Sequence, residues 1–569
     1  MGARSRCTPP LPCSPLPGTL GRGAGGEGRA LTKTSQAPAT SKGLYLVAIV
    51  ATALFPARAH AQSPPNPNYQ RQQIFNSYQE FRNTLTAISN TTDPAQRTTQ
   101  LNGFWSQLTA AGQVPYAQGN QVAFLYRGAA SSVAWPGDFN GWNSGSSSWR
   151  GTQLANTDLW ILEKTFAPDA RLDYKIVTGG SNWILDPANP LQMWSGFGPN
   201  SELRMPDYAY PQETIRQAGV PRGALTGNIR LSSARLGYDV NYRVYTPAGY
   251  SPQESRHLPV VYVTDGHEYS ADYMGSAVVV LDNLIAAGTL QPTMAVFIDP
   301  RDPSNPNNNR RAGEYTGKPN FAGFVADELV PAVDAAYRTL DSPDGRTILG
   351  TSLGGLNSAY FGAARPETFG NIAVQSPASF SQFTPGLLNT YATQPLQQKL
   401  DLFITAGTIG DGSGGTTFAN TLQQHGYDYT FVQRNEGHSW GQWRGLLDDM
   451  LVDLVGPTPV LAADFNEDNV VDGDDLALMK AAIGKTSDAS HLEGDADGDR
   501  DVDGSDFLLW QQQLGQTTTP TQVVPEPTSA GLACCCVLCA TRCCRLKTLL
   551  VLSPRWGGLG RGDRCVRNR

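Results

Sequence analysis

The period of the apolar positions changes along the chain, and each change predicts a different kind of structure. Between residues 68 and 111, apolar residues fall at Ile74, Tyr78, Phe81, Leu85 and Ile88, then at Leu101, Phe104 and Leu108. This is helical spacing, and the polar break at residues 91–94 predicts two helices packed on a neighbour. Between residues 121 and 186 the apolar runs become short, at 122–126, 132–135, 159–162, 172–177 and 183–185, and Gly, Asn, Ser and Asp separate them. Such punctuation predicts a small β-sandwich. From about residue 228 the pattern alternates. Runs at 230–234 and 240–246 predict an antiparallel pair, and runs at 258–263, 294–298, 346–349, 372–374, 402–404 and 429–432 are apolar enough for internal strands. Helical runs separate most of them, the clearest over 321–337, which predicts a mostly parallel sheet of eight strands covered on both faces.

The fifth of those strand runs meets a helix-type run, 356–364, through Gly350-Thr351-Ser352-Leu353-Gly354. A G-x-S-x-G turn between strand and helix is the nucleophile elbow of an α/β-hydrolase, because a serine on a sharp, strained turn needs glycines where a Cβ would collide. A tight turn without chemistry is the alternative; the strand before and the helix after favour the nucleophile. Leu353 then offers its backbone N–H, at a helix start, to a developing oxyanion. In this fold the acid and the histidine follow the serine. His425, His438 and His491 qualify by position. His425 ends a helical run before Gly426, and His491 lies between two acidic repeats, so His438, on the loop after the last strand, is the candidate base. Asp411, just past the preceding strand, is the candidate acid that orients it. Asp401 is at the wrong end of that strand and Asp428 starts the next. Asp265-Gly266-His267 follows the third strand, where Gly266 or His267 supplies a second oxyanion N–H unless the segment is simply a turn.

Taken as a set, Gly350 to Gly355, Thr264 to Gly266, Arg311-Ala312-Gly313-Glu314-Tyr315, residues 324–331 and Glu436-Gly437-His438-Ser439-Trp440 resemble the esterase D family over residues 225–455. That family contains enterochelin, feruloyl and acetyl-xylan esterases, S-formylglutathione hydrolases and mycolyl transferases. The resemblance implies Ser352, Asp411 and His438 as the triad, and places Arg311 and Glu314 where relatives contact substrate or brace the site; a surface ion pair is the alternative. Upstream, Pro136-Gly137-Asp138-Phe139-Asn140-Gly141-Trp142-Asn143 resembles the starch- and glycogen-binding type of early-set module. Trp142, Trp149 and Trp183 are then either sugar-stacking platforms or packed core aromatics.

Downstream, two acidic segments repeat at a spacing of 31 residues. Asp464, Asn466, Asp468, Asp472 and Asp475 occupy loop positions 1, 3, 5, 9 and 12 of the first, and Asp495, Asp497, Asp499, Asp503 and Asp506 those of the second. An apolar helical run follows each, as in a loop built from oxygen ligands for a hard cation. The repeats resemble the dockerin type I domain, which implies structural Ca2+ and a cohesin-like partner. Position 6 of the loops holds Asn469 and Arg500 in place of the usual glycine.

Charge and cysteine usage narrow the function. The ends, 1–61 and 541–569, carry net +6 and +7, so the overall −7 leaves −20 between them. An acidic body disfavours nucleic acid as a partner. All nine cysteines lie at or before Cys13 or at or beyond Cys534, which excludes a disulfide framework or thiolate metal site from the body. The apolar run 43–55, flanked by Lys42 and by Ala59-His60-Ala61, predicts a secretory signal, and Val524-Pro525-Glu526-Pro527 with the basic, cysteine-rich run after it resembles a PEP-CTERM sorting tail. No segment is apolar for long enough to span a membrane. The expected layout is multidomain: a signal region (1–61), a helical segment (62–112), a carbohydrate-binding-like β-sandwich (113–210), a three-layer α/β/α hydrolase (211–456), a small helical, EF-hand-like calcium domain (457–515) and a tail (516–569). The expected activity is a secreted serine carboxylesterase needing no catalytic cofactor and acting on polysaccharide-linked feruloyl or acetyl esters. A siderophore esterase, an acyltransferase or a non-catalytic glycan-binding protein on the same scaffold are the alternatives.

Overall fold

The computed structural model describes residue 69 and residues 71–253, 257–393, 400–457, 461–466 and 470–516. The expected signal segment, the tail beyond residue 516 with its cysteines, and Asp468 and Asn469 lie outside the described residues.

The two expected helices are Tyr78–Asn90 and Pro94–Ala110. Ser77 Oγ accepts the Glu80 N–H at the first start, while Asp93 accepts the Ala95 and Gln96 N–H groups at the second, where Pro94 takes the first helical position. Their neighbour is a four-stranded antiparallel sheet, Tyr116–Gln118, Gln121–Arg127, Leu159–Thr165 and Thr152–Gln153. Alternation decides which side faces what. Ala123, Leu125 and Leu159 meet Phe81, Leu85 and Leu108 of the helices, whereas Val122, Phe124, Trp160 and Leu162 face a second core with Trp135, Leu172, Tyr174 and Leu203.

That second core is closed by two three-stranded antiparallel sheets. One contains Arg171–Tyr174, Gly198–Arg204 and Gln192–Ser195, the other Val133–Ala134, Ile176–Thr178 and Asn182–Ile184. The run 172–177, expected as one strand, is thus divided at Lys175 between two sheets. The hairpin of Gln192–Ser195 and Gly198–Arg204 carries no apolar alternation, because its buried positions include Asn200, Ser201, Glu202 and Arg204. Of the three tryptophans, Trp149 stacks on Phe139 at 4.0 Å beneath the Lys164 ammonium, and the Trp142 indole N–H donates to Asp138. Trp183 is 44% exposed and is the one presented to solvent.

The hydrolase-type sheet has nine strands: β1 (Ala224–Leu225), β2 (Ile229–Ser233), β3 (Tyr238–Thr246), β4 (Val260–Val263), β5 (Met294–Asp299), β6 (Arg346–Thr351), β7 (Asn371–Gln375), β8 (Asp401–Gly407) and β9 (Thr430–Arg434). The order is β1-β3-β5-β4-β6-β7-β8-β9, with β2 also on β3. Strands β4 to β9 are parallel, and β3 joins them antiparallel through β5. The strand beyond the eight expected is the two-residue β1, which makes the strand before Ser352 the sixth. Two apolar cores flank the sheet, one around Phe321, Leu329, Leu356 and Phe418, the other around Leu281, Leu284, Leu447 and Leu451. This is the α/β/α sandwich that alternating strands and helices demand. The helical run 319–336 passes through a π turn at Val325–Leu329, just before Pro331, whose missing N–H cannot continue the regular ladder.

At the C-terminal end, helices Gly473–Ala482 and Gly504–Gln513 close over Phe465, Val471, Met479, Val502 and Trp510. This unit touches the sheet domain: His257 N–H donates to Gly498 O at 2.8 Å, and the Arg500 guanidinium pairs with Asp341. Among the described residues no helix is long and apolar enough to cross a membrane.

Candidate active site

The site forms where β4, β6, β8 and β9 end. β6 ends at Thr351 and the helix Leu353–Ala364 starts two residues later, so the chain reverses across Ser352 alone, at φ 59 and ψ −116. A side-chain-bearing residue in this region is strained. The strain is imposed by close packing: a Cβ on Gly350 would lie 2.3 Å from Thr264 Oγ1 and 2.5 Å from the Gly354 backbone. The elbow is pinned on its other side by Ser352 N–H to Gln375 O at 2.9 Å and Ala378 N–H to Ser352 O at 2.9 Å.

Three of the expected residues meet here. Ser352 Oγ lies 2.9 Å from His438 Nε2, and His438 Nδ1 lies 2.5 Å from Asp411 Oδ1. Asp411 Oδ2 accepts the Gly407 N–H, so the carboxylate is held from both sides. Asp411 is buried while Ser352 and His438 are half-buried, leaving the reactive end of the relay open to solvent. The Trp443 ring stands edge-on to the imidazole at 5.0 Å. The order of the three groups is that of a nucleophile, a base and an orienting acid.

Leu353 opens the helix after Ser352, and Gly266 and His267 open the one-turn helix Gly266–Tyr269 after β4. The two segments are in contact, since a Cβ on Gly354 would lie 3.3 Å from Asp265 Oδ2. Gly266 has a packing reason to be glycine: its Cβ would lie 2.3 Å from the Phe297 carbonyl carbon in β5. The His267 imidazole sits 3.5 Å from Asp299, and burial lowers its pKa.

Arg311 and Glu314 do not pair with each other. Arg311 Nε donates to both Asp265 oxygens at 2.8 Å and Nη2 donates to Thr351 O at 3.0 Å, tying the end of β4 to the residue before Ser352. Glu314 is buried, with Tyr238 OH donating to Oε1 at 2.9 Å. Burial pushes its carboxyl from the ordinary 4.5 up to about 7. Glu268, beside the candidate oxyanion segment, is also raised to about 7, by burial and then by the Asp265 charge. Sequence reasoning missed Glu268; no spacing signals it.

A prediction follows from Glu314. The unfolded carboxyl ionises near 4.5 and the folded one near 7, so the unfolded chain binds fewer protons in that window and stability falls as pH rises through it. Glu314→Gln keeps an acceptor for Tyr238 and cannot ionise. The variant should exceed the parent in stability by about 1–3 kcal/mol at about pH 8, with the gap closing near pH 4, in guanidinium unfolding curves. A gap independent of pH would contradict this account.

In the C-terminal unit, the carboxylates of Asp495, Asp497 and Asp499 lie within 4.8 Å of one another, as do those of Asp501, Asp503 and Asp506. Asp506 is fully buried and accepts the Ala496, Asp497 and Asp503 N–H groups, tying position 12 across its loop. Asp475 does the same in the first loop with Asn466 and Asp472. Asp464 is buried at position 1 of that loop. Such clustered oxygens fit a hard divalent cation. Arg500, at position 6, adopts φ 73, the left-handed conformation for which glycine is usual there.

Residues 233–454 match the family model for esterases, and residues 462–515 match that for the dockerin type I domain. The chain carries an esterase domain and a dockerin domain. The esterase domain is a hydrolase of carboxylic esters. An iron(III) enterobactin esterase of Dickeya dadantii is 31% identical over 229 residues, covering 37% of this chain and 51% of that protein. An endo-1,4-beta-xylanase/feruloyl esterase of Xylanibacter ruminicola is 26% identical over 218 residues, covering 37% of this chain and 28% of that protein. The chain therefore spans about half or less of the length of these two relatives. The enterobactin esterase of Shigella flexneri, solved in the presence of enterobactin, aligns over 59% of this chain and 92% of its own at 23% identity, with a TM-score of 0.49.

Proposed function

We propose that the chain is a secreted serine carboxylesterase acting on feruloyl or acetyl esters carried by polysaccharide. The observation that carries the chemistry is the relay from Ser352 Oγ through His438 to Asp411 beside a strained elbow. Ser352 Oγ attacks the ester carbonyl carbon while His438 Nε2 takes its proton. Asp411 holds Nδ1–H and stabilises the imidazolium. The carbonyl oxygen becomes an oxyanion, received by the Leu353 N–H and by that of Gly266 or His267. Collapse breaks the C–O bond, and His438 returns the proton to the departing alcohol. Water, deprotonated by His438, then releases the acid from the acyl-enzyme. Arg311 braces this geometry through Asp265 and Thr351 O.

Supporting the carbohydrate-linked substrate are the dockerin domain, the feruloyl esterase relative, and the module at 113–210, read as an early-set β-sandwich with Trp183 as its exposed stacking surface. The dockerin loops hold Ca2+ through Asp464, Asn466, Asp468, Asp472 and Asp475, and through Asp495, Asp497, Asp499, Asp503 and Asp506, and the domain takes a cohesin-like partner outside the cell. Bound calcium neutralises the clustered carboxylates and so stabilises the two loops. Adding EGTA should lower the melting temperature of the dockerin transition by several degrees and leave that of the esterase unchanged, read by calorimetry; an unmoved dockerin transition would contradict calcium binding. The enterobactin esterase relative supports a second reading, a siderophore ester.

The test is hydrolysis of p-nitrophenyl acetate, methyl ferulate and ferric enterobactin by the full chain beside Ser352→Ala. Serine-dependent turnover of methyl ferulate well above that of enterobactin is expected. The reverse preference would replace the carbohydrate reading with the siderophore one, and no serine dependence on any ester would overturn both.

A further inference from the structure

The loops that carry Asp411 and His438 do not rest on the esterase domain alone. Their outer faces are built into the module that precedes it. Arg171, fully buried in the strand Arg171–Tyr174, donates from Nη1 to Ser439 Oγ at 2.7 Å, one residue beyond His438. Its other two nitrogens are taken by the module: Nε by Glu202 at 2.8 Å and Nη2 by Asp173 at 2.5 Å. The guanidinium is therefore fixed before it reaches Ser439. Its position leaves no room behind it, because a Cβ on Gly441 would lie 2.0 Å from Arg171 Cζ. The backbone joins as well: Arg171 N–H donates to Asn435 O at 3.1 Å, and Asn435 Nδ2 to Asp169 at 2.8 Å.

The same module reaches the acid. A Cβ on Gly410, next to Asp411, would lie 1.9 Å from Asp138 O, and one on Gly437, next to His438, would lie 2.3 Å from the Asp138 side chain. One aspartate of the Gly137-Asp138-Phe139-Asn140 turn thus fills the space against both loops. Ile409 packs into the module's own apolar core.

We propose that the module at 113–210 is a structural half of the catalytic site, and that Arg171 is a positioning residue acting through Ser439 to hold His438 in line between Ser352 and Asp411. This rests on the triad reading given above. Ser439 Oγ caps no helix N–H, so its removal deletes the tie to Arg171 and little else. A charge-assisted bond of this kind, with a donor immobilised by two carboxylates, has the strength to fix a loop residue. A loss of about a tenth of a nanometre in the alignment of base and nucleophile is enough to slow the chemical step by about a hundredfold without changing how substrate binds.

The test uses the full chain and p-nitrophenyl acetate, with Ser352→Ala as a control that reports on the triad itself. Ser439→Ala is expected to lower kcat by about ten- to a hundredfold with KM within twofold. It should also shift the downfield proton resonance of His438 Nδ1–H, and Ser439→Thr, which keeps the hydroxyl, should restore both. Arg171→Ala leaves Asp173 buried without its cation and Glu202 with Arg204 alone, and is expected to melt earlier; Ser439→Ala is the variant that separates positioning from folding. If Ser352→Ala abolishes turnover while Ser439→Ala retains the parent kcat and the His438 resonance, the triad stands and the positioning role is overturned. If Ser352→Ala retains turnover, the triad reading itself fails.

Discussion

Replacing Ser352 by alanine is expected to lower kcat/KM for p-nitrophenyl acetate by about 10⁴- to 10⁶-fold, with the fold and melting temperature unchanged. The size follows from the covalent route: without Oγ there is no acyl-enzyme, and the remaining oxyanion donors can only assist water. Alanine accepts the φ of 59 no better than serine does. The backbone at this position is held by Gln375 O and the Ala378 N–H. The elbow therefore persists in the variant, and lost activity is chemical. Equal circular dichroism beside lost turnover checks this; unchanged turnover would remove Ser352 from the mechanism.

Asp411→Asn is expected to cost about 10⁴-fold in kcat through the tautomer of His438. In the parent, Asp411 Oδ2 accepts Gly407 N–H at 2.5 Å and Oδ1 faces His438 Nδ1 at 2.5 Å. An asparagine must keep its carbonyl toward Gly407, because an amide donor there would oppose another donor. Its NH2 then faces Nδ1 and forces the ring to carry its proton on Nε2. That nitrogen is 2.9 Å from Ser352 Oγ and can no longer take its proton. Substrate affinity should change little, so steady-state kinetics should show the loss in kcat, and a loss confined to KM would contradict the assignment.

The elbow at Ser352 was legible in the sequence because its determinants are local: a strand, two glycines and a helix within about ten residues specify it. That Asp411 and His438 come together with Ser352 was legible through the order that the fold imposes on strand ends. Other features were hidden because they depend on distant parts of the chain. Arg171 and Ser439 are 268 residues apart, and in sequence Arg171 is one charged residue in a β run. The hairpin Gln192–Ser195 with Gly198–Arg204 was hidden because several of its buried positions are polar and find their partners on other strands, Asn200 on Asp173 and Glu202 on Arg171, which defeats a reading based on apolar alternation. Arg311 was visible as a residue of interest, but its partner Asp265 stands 46 residues earlier and its other bond is to a backbone oxygen, neither of which a side-chain pattern encodes. The two-residue β1 was below the length at which any period can be read.

The central claim, that Ser352 carries the acyl group, is tested most directly by rapid acid quenching of the full chain during turnover of p-nitrophenyl acetate, followed by peptide mass mapping. The account predicts an acetyl group on the peptide containing Ser352, localised to that serine by fragmentation and absent from Ser352→Ala. Turnover with the acetyl group on another residue, or equal turnover in the alanine variant, would contradict it.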